Sequence, residues 1–151
     1  MSVQPLNDVQ PFSVCQTLDA VLQALAVRAI VFCEEQKVPY KLEYDAGDTE
    51  ALHVVAVIDD EPVGAARLRF FGGYAKLERI AIRKQFRGRH LGHRLVDFMI
   101  GVAQQRGFRK FKLSAQVHLE DFYTAHGFRA TGERFVEAGI DHSAMIREDP
   151  P

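Results

Sequence analysis

The run Gln85-Phe86-Arg87-Gly88-Arg89-His90-Leu91-Gly92 gathers residues suited to one task, holding a phosphate. It lies between a strand-like segment, 76–82, and a helix-like one, about 92–106. A basic, glycine-containing turn from strand into helix presents backbone N–H groups and the positive end of a helix dipole, which suits a pyrophosphate. Gly88 and Gly92 let the backbone approach a ligand closely, and Arg87 and Arg89 add charge. The spacing fits neither G-x-x-x-x-G-K-[ST] nor G-x-G-x-x-G, so the common phosphate loops are excluded. Taken alone, such a turn serves as a plain connector at least as often as a cradle. A second group, Asp121-Phe122-Tyr123-Thr124-Ala125-His126-Gly127-Phe128, places a tyrosine on a short helix. On its own Tyr123 reads as an amphipathic core residue with its hydroxyl at the surface. His90 and His93 stand three apart, as a metal pair would, but no third ligand is evident and no metal is expected.

These groups need a scaffold, and the apolar periodicity supplies one. Thr17 or Asp19 can cap a helix running to about residue 33, with Leu18, Leu22, Leu25, Ala26, Ala29 and Ile30 at helical spacing. Residues 41–50 are acidic and turn-rich, and residues 1–12 form a loose leader into a short first strand near 13–16. Segment 51–58 is a β-branched apolar run, Asp59-Asp60-Glu61-Pro62 is a turn and 63–71 is a second strand, which predicts a hairpin. The helix after the basic turn buries Leu91, Leu95, Val96, Met99 and Val102 and stops at Gly107. A strand at 110–115 completes a right-handed parallel β-α-β unit. Two late strands, near 130–137 and 142–147, flank Ala138-Gly139. The expected fold class is α/β: a mixed, mostly antiparallel sheet with helices on both faces.

At 151 residues and 17.0 kDa the chain is expected to form a single domain, 1–151, large enough for a real core. A net charge of -1 argues against bulk binding to nucleic acid or a membrane surface. The local excess of basic residues between Arg79 and Arg94 fits a small anion better than a polyanion. Cys15 and Cys33 read as small buried hydrophobes. No apolar run approaches ~18 residues and no signal peptide is visible, so a cytoplasmic location is expected.

Read together, the two motifs resemble the GNAT family of N-acetyltransferases. The family pattern is an apolar strand, then [Q/R]-x-x-G-x-[G/A], then F-Y-x-x-x-G-F downstream. Gln85 and Gly88 match the first part, and Phe122, Tyr123, Gly127 and Phe128 match the second. The likeness spans about 18–147 and is greatest to small single-domain bacterial members of the YjcF/ElaA type. His90 departs from the pattern, standing where glycine or alanine is usual. Because alanine is allowed there, a positive φ is not expected to be required; the concern is side-chain bulk beside the pyrophosphate.

The resemblance implies a sheet splayed at its one parallel pair, with acetyl-coenzyme A bound in the V as co-substrate. The backbone of Ile80, Ala81 and Ile82 would pair with the pantetheine amides as an added strand does. The N–H groups of Arg87, Gly88, Arg89, His90, Leu91 and Gly92 would hold the pyrophosphate. Tyr123 would protonate the thiolate leaving group, and an N–H at or near Ile80 would polarise the carbonyl. Glu35, Glu43, Asp45, Glu78 and His118 are candidates for a general base, with Glu43 and Glu78 ranked first. His142 is expected near the acceptor cleft. No cysteine is placed to carry an acyl intermediate, which favours direct attack by a primary amine in a ternary complex. The acceptor would be a small molecule or peptide, and a homodimer through the late strands would fit the family. The alternative is a non-catalytic acyl-CoA-binding or sensing module.

Overall fold

A computed structural model describes residues 10–151; the leader expected at the N-terminus lies, through residue 9, outside the described residues. Seven strands form one sheet in the order β1-β2-β3-β4-β5-β7-β6. They are β1 (Phe12–Val14), β2 (Leu52–Ile58), β3 (Glu61–Phe71), β4 (Tyr74–Ile82), β5 (Lys110–Gln116), β6 (Arg129–Glu137) and β7 (Ile140–Glu148). Every neighbouring pair is antiparallel except β4 and β5. The β2–β3 turn puts Asp59 and Asp60 at φ 50° and 63°, and the β6–β7 turn puts Ala138 and Gly139 at 51° and 76°. Two-residue turns with both central φ positive match the twist of paired strands, so these two sites set hairpin register. Among the described residues no helix is long and apolar enough to cross a membrane.

Alternation along the central strands feeds a core on each face. Val54, Ala56, Ala66 and Leu68 pack on one side with α4 (Leu91–Gln105), whereas Val55, Ala65 and Ala81 pack on the other with α1 (Leu18–Arg28). Helix α4 buries Leu91, Leu95, Val96, Met99, Ile100 and Ala103, a stripe of 3.6-residue period, with Val102 partly buried beside it. Its chain stops at Gly107, φ 88°, as expected for a C′ glycine.

The first helix departs from expectation. Thr17 caps it, its hydroxyl accepting from the Ala20 N–H at 3.1 Å, but the α-helix ends at Arg28 and continues as a π-helical segment, Ala29–Glu35. Its buried face is Ala24, Val27, Arg28 and Val31, while Leu18, Leu22 and Ile30 are exposed. The hydrophobic reading failed because an arginine occupies the inner face. Arg28 is fully buried, and its carboxylate partners, Glu43 and Asp48, sit where the acidic segment folds over the helix. That segment contains two single turns, α2 (Tyr40–Glu43) and α3 (Gly47–Glu50), rather than a plain loop.

Two irregularities in β4 shape everything functional. First, β4 pairs with β5 only at Ala75↔Phe111 and Lys76↔Lys112, so the strands diverge from Leu77 onward. Beyond that point β5 is held by β7, whose pairing runs from Lys110↔Glu148 to Gln116↔His142. Second, Ala65 pairs with Ala81 and Arg67 with Glu78, leaving Arg79 and Ile80 opposite the single residue Ala66. This is a β-bulge, and it carries Arg79 at φ 56°.

Candidate active site

The divergence opens a V with a cavity at each end. The larger, about 600 Å³, is lined by Ile80, Ala81 and Ile82 of β4 and by Arg87, Gly88, His90, Leu91, Gly92 and His93. The smaller, about 390 Å³, holds Glu43, Lys76, Glu78, Arg79, Glu137 and His142 among apolar side chains. Ile80, Tyr123, Gln36 and Gln116 line both, so the cavities meet beside the bulge.

The basic turn forms the closed end of the larger cavity. A 3-10 turn (Lys84–Phe86) ends with the Arg87 N–H donating to the Lys84 carbonyl at 3.2 Å. The N–H groups from Gly88 to His93 make no hydrogen bond to another described residue, and α4 has no side-chain cap. Six consecutive unpaired donors at a helix start are an anion cradle in the physical sense. Arg87 itself contributes differently from expectation: its N–H is used, and its guanidinium donates to Glu35 at 2.7 and 2.8 Å and to the Ile82 carbonyl at 2.8 Å. That pairing also occupies Glu35, holding its carboxyl below the usual range. His90 corrects a second expectation. It adopts φ 61°, the left-handed region, directly after Gly88 at φ 79°, so the turn does require positive φ at this motif position. An alanine would carry the same backbone strain, whereas glycine would be free of it.

Around the smaller cavity the charges are paired in depth. Arg28 Nε donates to Glu43 Oε1 at 3.0 Å and Nη1 to Asp48 Oδ1 at 2.7 Å. Arg67, 1% exposed, bonds Asp45 at 2.7 Å, Asp48 at 2.8 Å and Glu78 at 3.3 Å. Arg69 grips both oxygens of Glu78. Arg79 reaches the Glu43 carbonyl and the Asp45 carboxylate, each at 3.2 Å, which anchors the strained bulge. The two leading base candidates thus differ. On Glu78 the desolvation cost of burial is overcome by Arg69, Arg67 and Lys76, and its pKa falls to about 2. On Glu43 the burial cost exceeds the pull of Arg79 and Arg28, and the pKa rises.

Tyr123, on α5 (Glu120–Thr124), is 7% exposed, and its hydroxyl makes no hydrogen bond to another described residue. Burial pushes the phenol well above its ordinary pKa, so it keeps its proton and is available as a donor. Across the junction, Gln116 Nε2 donates to Gln36 Oε1 at 3.0 Å, tying the end of β5 to the end of the π-helical segment. His142 lines the smaller cavity, its Nδ1 2.7 Å from the Ile140 carbonyl and its ring stacked on Phe135. Asp45 belongs to the ion-pair network, and His118 lines the larger cavity. Cys33 is buried and lines neither cavity.

A family model, the Acetyltransferase (GNAT) domain, matches residues 21–148 of this chain. The chain belongs to the GNAT acetyltransferase family. It is 38% identical to YjcF, an uncharacterized N-acetyltransferase of Bacillus subtilis, over 126 residues, covering 83% of this chain and 90% of that protein. An acyl-CoA N-acyltransferase from Pseudomonas aeruginosa is 30% identical with a TM-score of 0.82, over 91% of this chain and 99% of that one. Escherichia coli ElaA superposes with a TM-score of 0.79 at 27% identity, over 87% and 92% of the two chains. This GNAT domain is accordingly of the acyl-CoA N-acyltransferase kind, transferring an acyl group to an amine.

Several residues of this GNAT site escaped the sequence reading. Gln116 sits seven residues before Tyr123 at a strand end, where nothing but a known β5 terminus would single it out. Arg67 and Arg28 lie inside apolar runs, and their only signal was the cluster of acids at Glu43, Asp45 and Asp48 with no assigned partners. Nothing in the sequence links His93 to His126, yet their side chains meet at 2.8 Å.

Proposed function

We propose that this domain, 1–151, transfers an acetyl group from acetyl-CoA to a primary amine by direct attack in a ternary complex. The observation that carries the reading is the junction of an unpaired β4 edge with six unpaired N–H groups, from Gly88 to His93. Acetyl-CoA would supply an activated thioester. Gly88 through His93 would bind the pyrophosphate by backbone donors, and Ile80, Ala81 and Ile82 would pair with the extended arm as a strand pairs with an edge. The bulge at Arg79 and Ile80 frees backbone from the β3 ladder, and an N–H there would stabilise an oxyanion.

Tyr123 is the group for the departing sulfur. With its pKa raised by burial, a complete proton transfer from the phenol to a thiolate is uphill; a strong hydrogen bond to the developing negative sulfur is not. Its part is therefore charge stabilisation, with the proton lost by the attacking amine available to the sulfur afterwards. Of the two carboxylates, Glu43 is the better base, because a raised pKa makes it the stronger proton acceptor. Glu78, at about 2 and gripped by Arg69 and Arg67, holds charge and shape instead. Glu137, which also lines this cavity, adds a carboxylate that would meet a cationic acceptor.

The reading is tested by calorimetric titration with acetyl-CoA, CoA and an adenine nucleotide lacking pantetheine, followed by thiol release against a panel of primary amines. Saturable binding of both CoA species with thiol release on one amine class supports it. Binding with no thiol release across the panel supports the sensing alternative, and no binding overturns both.

A further inference from the structure

Outside the groups used above, the cradle carries a buried side-chain chain that no step requires. His126 Nδ1 lies 2.9 Å from Asp97 Oδ1, and His126 Nε2 lies 2.8 Å from His93 Nδ1. His126 is 9% exposed, whereas the Asp97 side chain is open to solvent at 70%. His93 lies in the first turn of α4, and its ring stacks on Phe122 with centroids 4.3 Å apart. It lines the larger cavity, and its Nε2 makes no hydrogen bond to another described residue. One end of the chain thus reaches water and the other reaches the phosphate cradle.

We propose that Asp97, His126 and His93 form a proton-linked positioning chain, through which the cradle takes up one proton at His93 Nε2 when a phosphate group binds. This rests on the cofactor reading given above. With Asp97 ionised and His126 neutral, the bonding fixes where protons can sit. Asp97 as a carboxylate accepts the Nδ1–H of His126, so a neutral His126 has only a lone pair at Nε2. His93 must then donate from Nδ1, which leaves its Nε2 bare toward the cavity. A bare nitrogen repels a phosphate oxygen; a protonated one donates a charge-assisted hydrogen bond to it. Adding the proton at Nε2 disturbs neither bond of the chain.

The surroundings keep the free site unprotonated. Burial, His126 from the end of α5 and His90 from the preceding loop all lower the His93 pKa, against a smaller opposing pull from Asp97 on the next turn of α4. Glu35 and His118 also line the cavity, Glu35 neutralised by Arg87, while the Arg94 guanidinium lies over the Phe12 ring instead. A bound phosphate adds negative charge at this point and reverses the balance, so the proton comes from solvent with binding. The sign follows: affinity for CoA is highest below the pKa of free His93 and weakens as pH rises through the pKa in the complex. A rise of one unit on binding corresponds to a ten-fold span in Kd, about 1.4 kcal/mol.

The test is calorimetric titration of the full chain with CoA near neutral pH, in two buffers of different ionisation enthalpy, for the native chain and for His93→Gln. Glutamine keeps a donor but does not titrate, and protons released or taken up by CoA itself cancel in the difference. The expected result is a net uptake of a fraction of a proton, at most about half for a one-unit rise, that is absent in His93→Gln. Asp97→Asn should reduce it while leaving the fold intact. Equal proton counts in the native chain and His93→Gln overturn the proposal while leaving CoA binding established. No binding in any buffer overturns the cofactor reading, and this chain's role with it. Independently, nitrogen NMR of the ligand-free protein should show His93 as the Nδ1–H tautomer; the Nε2–H tautomer would overturn the proposal without any ligand present.

Discussion

The two cavities that meet at Tyr123 are built in opposite ways. Around the smaller one, four arginines (28, 67, 69 and 79) face four carboxylates (43, 45, 48 and 78), and each has at least one partner within 3.3 Å. Around the larger one, the main-chain donors from Gly88 to His93 have no partner among the described residues. The first wall spends its polar groups on itself and so holds a fixed shape. The second keeps its polar groups available and relies on backbone geometry. A site that must bind one invariant phosphate ligand gains from the second kind of wall, while a site that must aim an acceptor at a thioester gains from the first.

The largest expected effect comes from breaking the saturated wall. Arg28 is wholly buried and bonds both Glu43 and Asp48, so Arg28→Met leaves two carboxylates with reduced pairing inside the protein. The expected loss is about 3–5 kcal/mol in urea unfolding, because removing one partner of a buried pair strands the other charge. A loss under about 1 kcal/mol would mean that the network is solvated and that the contrast between the walls is false.

Acid should dismantle the same wall gradually. The Glu78 pKa falls from 4.5 to about 2 in the folded state, with its side chain only 10% exposed. A depressed folded pKa contributes stability that is present above 4.5 and lost as pH falls toward about 2, here on the order of 3 kcal/mol. Asp48 acts in the same direction, and Glu43, whose pKa is raised, acts in the opposite one. The difference between the native chain and Glu78→Gln isolates the Glu78 share. Stability followed against pH by urea titration should fall less steeply through this window in Glu78→Gln.

The junction is tested by Tyr123→Phe. A phenol that stabilises the leaving sulfur should be worth about a hundred-fold in kcat, with the Kd for CoA changed by less than roughly two-fold. Loss of CoA affinity in proportion to kcat would reassign Tyr123 to the wall of the larger cavity.

The two walls were not equally legible in sequence. The cradle was, because its chemistry is local: glycines, arginines and a helix start within eight residues dictate where N–H groups go. The hairpins were legible for the same reason, since Asp59-Asp60 and Gly139 suit the left-handed turn conformations they adopt. The saturated wall was hidden, because Arg28 and Glu43 are fifteen residues apart, and Arg67 and Asp45 twenty-two, and only the fold joins them. Hydrophobic periodicity then assigned the wrong face to α1, placing Leu18 and Leu22 inward where Ala24, Val27 and Arg28 belong. Glu43 and Glu78 could be nominated as acids near the acceptor, but which one is held at low pKa depends on arginines that periodicity treats as noise.

The smallest effect sharpens the other wall. His90 holds φ 61° without a side-chain cap on α4, and a non-glycine residue in that region carries strain of about 1–2 kcal/mol. His90→Gly removes the strain but restores backbone freedom to the unfolded chain, so the net gain should be only about 0.5–1 kcal/mol in urea unfolding. Glycine is one of the two residues the family pattern allows at this position, so the substitution asks why a histidine is tolerated. The ring of His90 lies 6.1 Å from that of His93 and lowers its pKa. If stability rises as expected, the backbone alone demands the positive φ, and glycine meets that demand with less strain. A destabilised His90→Gly would instead mean that the side chain's own contacts hold the turn, and the cradle would then depend on side-chain packing as much as its neighbour does.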